Sequence, residues 1–173
     1  MAIRQIRVDD DPVLRKKSRP VEAFDERLHL LLDDMRDTLT KSQGIGLAAV
    51  QIGILRRVVV INFGDGFIEL INPEIIEESE EDNTFSEGCL SLPGISENVI
   101  RPASITIRYM DENFTEHTET YDGFAARIIQ HEYDHLEGHV FTDRISPIRR
   151  QFVKTKLTNI AKGKVMARYR TKR

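Results

Sequence analysis

The chain has 173 residues, 25 Lys and Arg against 28 Asp and Glu, a formal net charge of −3, 40% hydrophobic and 31% charged residues. That balance excludes a largely disordered chain, and the length suits one domain over residues 1–173 whose core needs neither disulfides nor a structural metal. A single cysteine, Cys89, excludes an intramolecular disulfide, and no apolar run is long enough to span a bilayer. The opening MAIRQIRVDDDP has no signal-peptide core and is too acidic for a transit peptide, so a cytoplasmic protein without a membrane partner is expected.

Charge is unevenly spread. Ten of the 25 Lys and Arg, and none of the 28 acidic residues, fall in Pro147–Arg173, leaving 15 basic against 28 acidic groups in the rest. A basic C-terminal helix and tail at about 146–173 therefore hangs on an acidic body. Such a segment serves either as a solvated end or as a surface for phosphate.

In chain order, residues 25–42 read as a helix: Asp25 caps it, Leu28, Leu31, Leu32, Met35 and Leu39 recur at helical spacing, and Gly44 ends it. Arg57–Phe63 contains VVVI, a β-branched run suited to a buried strand, and Gly64-Asp65-Gly66 turns it into FIELI as a hairpin. Ser104–Met110 alternates Ile105, Ile107 and Tyr109 inward, DEN at 111–113 turns, and FTEHTETY is the partner strand of a second hairpin. A helix from near Asp122 to Gly138 carries Phe124, Ile128, His131 and His135 on one buried face. A last helix is expected with Ser146 as cap, Pro147 at its first position, and Ile148, Phe152, Val153, Leu157 and Ile160 buried. Beyond Gly163 the chain is expected to fray. With no βαβ alternation and no repeat, the fold class is α+β: antiparallel hairpins packed around a central helix, with N-terminal and C-terminal helices.

Residues 131–135, HEYDH, match H-E-x-x-H. Histidines four apart on a helix aim at one ion, and a catalytic centre takes a third protein ligand and leaves a position for water. A downstream histidine in the metzincin pattern would fall at Phe141, so that completion fails; His139 follows the helix-ending glycine directly and is turned away. A downstream glutamate is excluded because nothing beyond Asp143 is acidic. The upstream candidate is Cys89 in EGCLSLPG, whose thiolate is a strong ligand and whose neighbour Gly88 lets backbone approach closely; its alternative role is that of a small buried hydrophobe. GIGLAAVQIG at 44–53 adds small residues and the amide of Gln51, which could equally be a helix stop, packing and a surface side chain.

Together the three stretches resemble one family, the peptide deformylases. GIGLAAVQIG is similar to that family's G-x-G-L-A-A-x-Q motif, EGCLS to its E-G-C-L-S motif and QHEYDH to its Q-H-E-x-D-H motif, in the same order, and DPVLRKKSRPV at 11–21 extends the likeness. The resemblance implies a divalent metal held by Cys89, His131 and His135, typically Fe2+, with Zn2+, Ni2+ or Co2+ able to take its place. It implies hydrolysis of the formyl group on the starting methionine of new polypeptides, by a water that the ion makes acidic. Glu132 would take that water's proton and deliver it to the departing nitrogen, while the Gln51 amide and the Leu90 backbone N–H would meet the oxyanion. Gly44, Ile45, Gly46, Glu87, Gly88, Phe124 and Ile128 would bind substrate: Ile45, Phe124 and Ile128 around the methionine side chain, Gly46 and Glu87 through backbone. Some members carry an arginine shortly after the cysteine motif where this chain has GISEN at 94–98, so that contact is not expected.

The partners implied are nascent formyl-methionyl polypeptides and, through the basic tail, the ribosome, with no DNA, for a monomeric bacterial enzyme. Asp134 on the metal helix would pair with Arg101. Two competing readings are weaker. An H-E-x-x-H metallopeptidase lacks its downstream ligand, and a non-catalytic ribosome-associated metal-binding protein would need a fourth protein ligand where the motifs offer three.

Overall fold

The computed structural model describes residues 2–173. Strand β1 (Ile6–Arg7) and a 3-10 turn (Pro12–Arg15) precede helix α1 (Glu26–Ser42), and β2 (Gly46–Ala48) runs into a 3-10 turn at Ala49–Ile52. Six strands follow: β3 (Val58–Asn62), β4 (Phe67–Glu78), β5 (Asp82–Cys89), β6 (Leu92–Pro102), β7 (Ser104–Met110) and β8 (Glu116–Asp122). Helix α2 (Gly123–Leu136), a 3-10 turn (Phe141–Asp143), α3 (Pro147–Ala161) and β9 (Thr171–Lys172) complete the chain. The class is α+β.

The main sheet is antiparallel in the order β2-β3-β4-β7-β8, with β5-β6 a separate hairpin and β1-β9 a short parallel pair. The VVVI run explains how the main sheet is covered. Val58 and Val60 pack with Leu28, Leu32, Met35 and Leu39 of α1, whereas Val59 and Ile61 pack with Ala126, Ile129 and Leu136 of α2. A strand buried on both faces reads as continuous apolar sequence because successive side chains point to opposite sides. The third core lies under β6 and α3, where Leu92, Ile95 and Val99 meet Phe141, Ile145, Val153 and Ile160.

Local chemistry sets the boundaries. The Asp25 carboxylate accepts from the N–H groups of Arg27 and Leu28, satisfying free donors at the start of α1. The left-handed residue at its end is Gln43 (φ 58°), one place before the expected Gly44. At the end of α2, Arg57 donates to the Leu136 carbonyl at 3.2 Å and to Glu137 at 2.9 Å, placing a cation on the negative pole of the helix. Gly138 then turns with φ 82°, and any side chain there would put Cβ 2.6 Å from the Arg15 carbonyl oxygen.

Four expectations need correction. Phe124 is 48% exposed, because it sits at the mouth of a groove and not on the buried stripe of α2. Ile148 and Phe152 are each 67% exposed: α3 packs through Val153, Leu157 and Ile160, a narrower stripe, and Phe152 lies beneath the Arg149 guanidinium. The chain past Gly163 does not fray, since Val165 packs on the third core and β9 pairs with β1. Finally, the long β5-β6 hairpin fills residues 82–102, where no element was expected.

Candidate metal centre

Cys89 ends β5, immediately before the two-residue turn Leu90–Ser91, and His131 and His135 lie one turn apart on α2. The hairpin folds this turn onto the helix, so that Cys89 Sγ lies 3.3 Å from His135 Nε2 and the three donor atoms lie within 4.8 Å of one another. A tetrahedral ion with sulfur at about 2.3 Å and nitrogen at about 2.1 Å separates such donors by roughly 3.6 Å, so the spacing fits a small divalent ion. Burial opposes ionisation of the Cys89 thiol, but attraction to His135 and hydrogen bonds from both histidines lower it to about 5. The shift favours the thiolate, the form that binds metal.

Behind the ligands stands a buried ionic network. Glu87 accepts from His131 Nδ1 at 2.8 Å, from Arg101 at 2.7 and 2.9 Å and from Arg127 at 2.6 Å. Burial alone would raise its carboxyl, yet His131 and Arg101 hold it far below the usual carboxylate range. Because the carboxylate occupies Nδ1, the His131 ring is oriented with Nε2 free for an ion. Arg101 also reaches Asp134 at 2.8 Å, the pairing expected from the sequence, and Arg144 adds bonds of 2.6 and 2.7 Å to the same carboxylate. The metal helix is thus tied to β6 by charge as well as by packing.

Glu132 is 4% exposed, and its Oε2 has no partner among the described residues. A buried carboxylate oxygen without a donor is costly unless a ligand or water completes it. Burial raises the Glu132 pKa despite the pull of His131 and His135, the direction that suits a carboxylate required to take up a proton. Gly46 makes room for it: a Cβ there would lie 2.7 Å from Glu132 Oε1.

Gln51 is 1% exposed, not the surface side chain that a neutral reading of GIGLAAVQIG allows. Its Oε1 accepts from the Ala48 N–H at 2.9 Å, which turns the amide nitrogen toward Ser91 Oγ at 3.1 Å and Cys89 Sγ at 3.7 Å. A groove of about 680 Å³ opens above this floor, lined by Gly44, Ile45, Gly46, Glu87, Gly88, Cys89, Leu90, Phe124, Ile128, His131 and Glu132. Every residue assigned to substrate by sequence thus borders one cavity. A second groove of about 610 Å³ beside α1 has arginines and carboxylates but no thiol or imidazole along it.

Residues 3–151 match the family model described as polypeptide deformylase. The chain belongs to that family. It is 45% identical to a peptide deformylase of Christiangramia forsetii over 177 residues, covering 92% of this chain and 90% of the relative. To the peptide deformylase of Alkaliphilus metalliredigens it is 53% identical over 145 residues, covering 84% and 98%. Among solved structures, the peptide deformylase from Legionella pneumophila superposes with a TM-score of 0.87 at 39% identity, covering 93% of this chain and 96% of that one. The enzyme from Thermotoga maritima gives 0.83 at 43%, covering 85% and 100%. With the family established, the Cys/His/His group is the place for a divalent metal.

Sequence reasoning missed three residues of this deformylase site, Arg127, Ser91 and Tyr169, and the side-chain role of a fourth, Glu87. The motif gives Glu87 only a backbone contact, and nothing in it signals Arg127, which binds Glu87 and the Asn83 carbonyl. Ser91 carries no motif signal beyond its place in EGCLS. Tyr169 lies in a tail read only for charge, although Val165, Ala167 and Tyr169 alternate inward between exposed neighbours.

Proposed function

We propose that the chain removes the N-formyl group from the initiator methionine of newly made polypeptides, releasing formate, at the centre formed by Cys89, His131, His135 and Glu132. The observation that carries this reading is the buried, unpartnered Oε2 of Glu132 beside three donor atoms gathered within 4.8 Å. A divalent ion held by Cys89, His131 and His135 would polarise the formyl carbonyl and lower the pKa of water into the neutral range.

The protein groups do the rest. Glu132 accepts a proton from the attacking water and returns it to the nitrogen as the carbon–nitrogen bond breaks, since an amide anion is too poor a leaving group to depart unprotonated. The Gln51 amide, aimed by the Ala48 N–H, and the Leu90 backbone N–H donate to the oxygen on which charge develops. Ile45, Phe124 and Ile128 receive the unbranched methionine side chain, and the backbone of Gly44, Gly46, Glu87 and Gly88 holds the peptide extended.

Fe2+ is the proposed native ion, with Zn2+ the form retained on isolation in air, because thiolate and imidazole suit both and geometry does not separate them. Residues 1–173 are read as a single catalytic domain, working as a monomer in the bacterial cytoplasm. Among the described residues no helix is long and apolar enough to cross a membrane. All ten Lys and Arg of Pro147–Arg173 are exposed, which supports ribosome contact through phosphate. Salt-sensitive co-sedimentation with ribosomes that is lost when these cations are replaced would bear that out, and salt-independent co-sedimentation would refute it. For the reaction, anaerobic incubation of the iron-loaded protein with formyl-Met-Ala-Ser should release equal amounts of formate and free amine. Cleavage of unformylated peptides without formate would favour a metallopeptidase.

A further inference from the structure

The C-terminal tail lies outside the residues matched by the family model, yet Met166, Ala167, Arg168 and Tyr169 form one wall of the 680 Å³ groove. It is fastened at its end: β9 pairs with β1, with Ile6 N–H donating to the Arg170 carbonyl at 2.9 Å and Val8 N–H to the Lys172 carbonyl at 3.0 Å. From this wall the Tyr169 hydroxyl donates to the Leu90 carbonyl at 2.7 Å.

That contact falls on the two-residue turn next to Cys89. The same turn is gripped from two other directions, by Gln51 on Ser91 Oγ at 3.1 Å and by the Asp9 N–H on the Ser91 carbonyl at 2.8 Å. A two-residue turn between strands has few bonds of its own, so its peptide planes rotate unless outside groups hold them. The Leu90 N–H, one residue after Cys89, finds no acceptor among the described residues. The Leu90 carbonyl belongs to the peptide plane after its Cα and the Leu90 N–H to the plane before it, so holding the first limits how far the second can swing.

We propose that Tyr169 is a positioning residue for the hydrolysis: the tail latches across the groove, and its hydroxyl locks the Leu90–Ser91 turn so that the Leu90 N–H is aimed before substrate arrives. The inference rests on Leu90 acting as an oxyanion donor. A preorganised donor acts on the transition state more than on the ground state, so losing the latch should lower kcat and leave KM for substrate nearly unchanged.

The test is Tyr169→Phe in the full-length, metal-loaded protein, which keeps the ring and its packing and removes only the hydroxyl. The expected result is a fall in kcat for formyl-Met-Ala-Ser on the order of three- to tenfold, with KM within about twofold of the parent, as loss of one neutral hydrogen bond would give. Hydrogen–deuterium exchange at the Leu90 and Ser91 amides, followed in the metal-free protein, should become faster in the same variant. A kcat within about twofold of the parent, a rise in KM alone, or unchanged exchange at the turn would each overturn the proposal. An inactive parent would instead sink the deformylase reading, and the exchange comparison would still decide whether the latch exists.

Discussion

Glu87 accepts four hydrogen bonds from three residues, and only one of them, from His131, points at the metal group. That bond and those from Arg101 keep the carboxylate ionised in a buried place where it would otherwise take a proton, and Arg127 satisfies the same carboxylate from α2. Glu87→Gln should weaken the hold on His131 Nδ1, lowering metal affinity by about 10- to 100-fold in competition with a chelator. It should also destabilise the fold by leaving two guanidinium groups with a neutral partner. Unchanged metal retention would mean that the His131 ring is set by packing alone. Of the residues gathered here, Cys89, His131, Glu132 and His135 were legible because each sits in a short motif of fixed spacing. The Glu87 side chain was not, because its partners come from β6 and α2 and nothing in EGC signals an ion pair. Gln51 was legible as a candidate, but its burial depends on β2 and the 3-10 turn folding beneath the groove.

At the level of elements, Arg101 joins β6 to α2 through Glu87 and Asp134, at 1% exposure. Arg101→Leu strips two buried carboxylates of a partner, and a loss of roughly 3–5 kcal/mol is expected in denaturant unfolding. Arg144→Leu should cost less, since the Arg144 side chain is 44% exposed and water can replace part of its contact. Equal losses would contradict a role for Arg101 as the central tie. This arginine also explains why the β5-β6 hairpin escaped sequence reading. From Ile95 onward the inward positions of β6 are Ile95, Glu97, Val99 and Arg101, so the alternation is real but two of these four are charged. Hydrophobic periodicity finds strands whose inner face is apolar, as in β3 and β7, and passes over one built on ion pairs. The tail failed in a similar way, its Val-x-Ala-x-Tyr alternation hidden among basic residues.

Across the whole molecule, the N-terminal segment is fastened to α1 by charge, and that fastening should depend on pH. Asp34 accepts from the Ala2 N–H at 2.7 Å and from Arg4 Nε at 2.8 Å. Burial would raise its carboxyl, but these bonds outweigh it and lower the pKa below the ordinary value. A group whose folded pKa is depressed adds stability above its unfolded pKa and loses it as pH falls through the folded one. Asp34→Asn should therefore cost about 1 kcal/mol near neutral pH, with the gap to the parent closing below about pH 4. A gap that stayed constant to pH 2 would remove the carboxylate charge from the explanation. The α+β class and the two helices flanking the main sheet were legible because capping, β-branched runs and helical spacing are local signals. How the hairpin, the tail and the N-terminal strand converge on the Leu90–Ser91 turn was not, since it depends on contacts between distant parts of the chain.

The proposed reaction has Glu132 move the proton while Cys89, His131 and His135 hold the ion. It is tested most directly by formate release from formyl-Met-Ala-Ser with Glu132→Gln, measured beside its metal content. The expected result is a fall of about a hundredfold or more with metal stoichiometry retained, because Glu132 is not one of the proposed ligands. Formate release at the parent rate, or loss of the metal together with the activity, would contradict it.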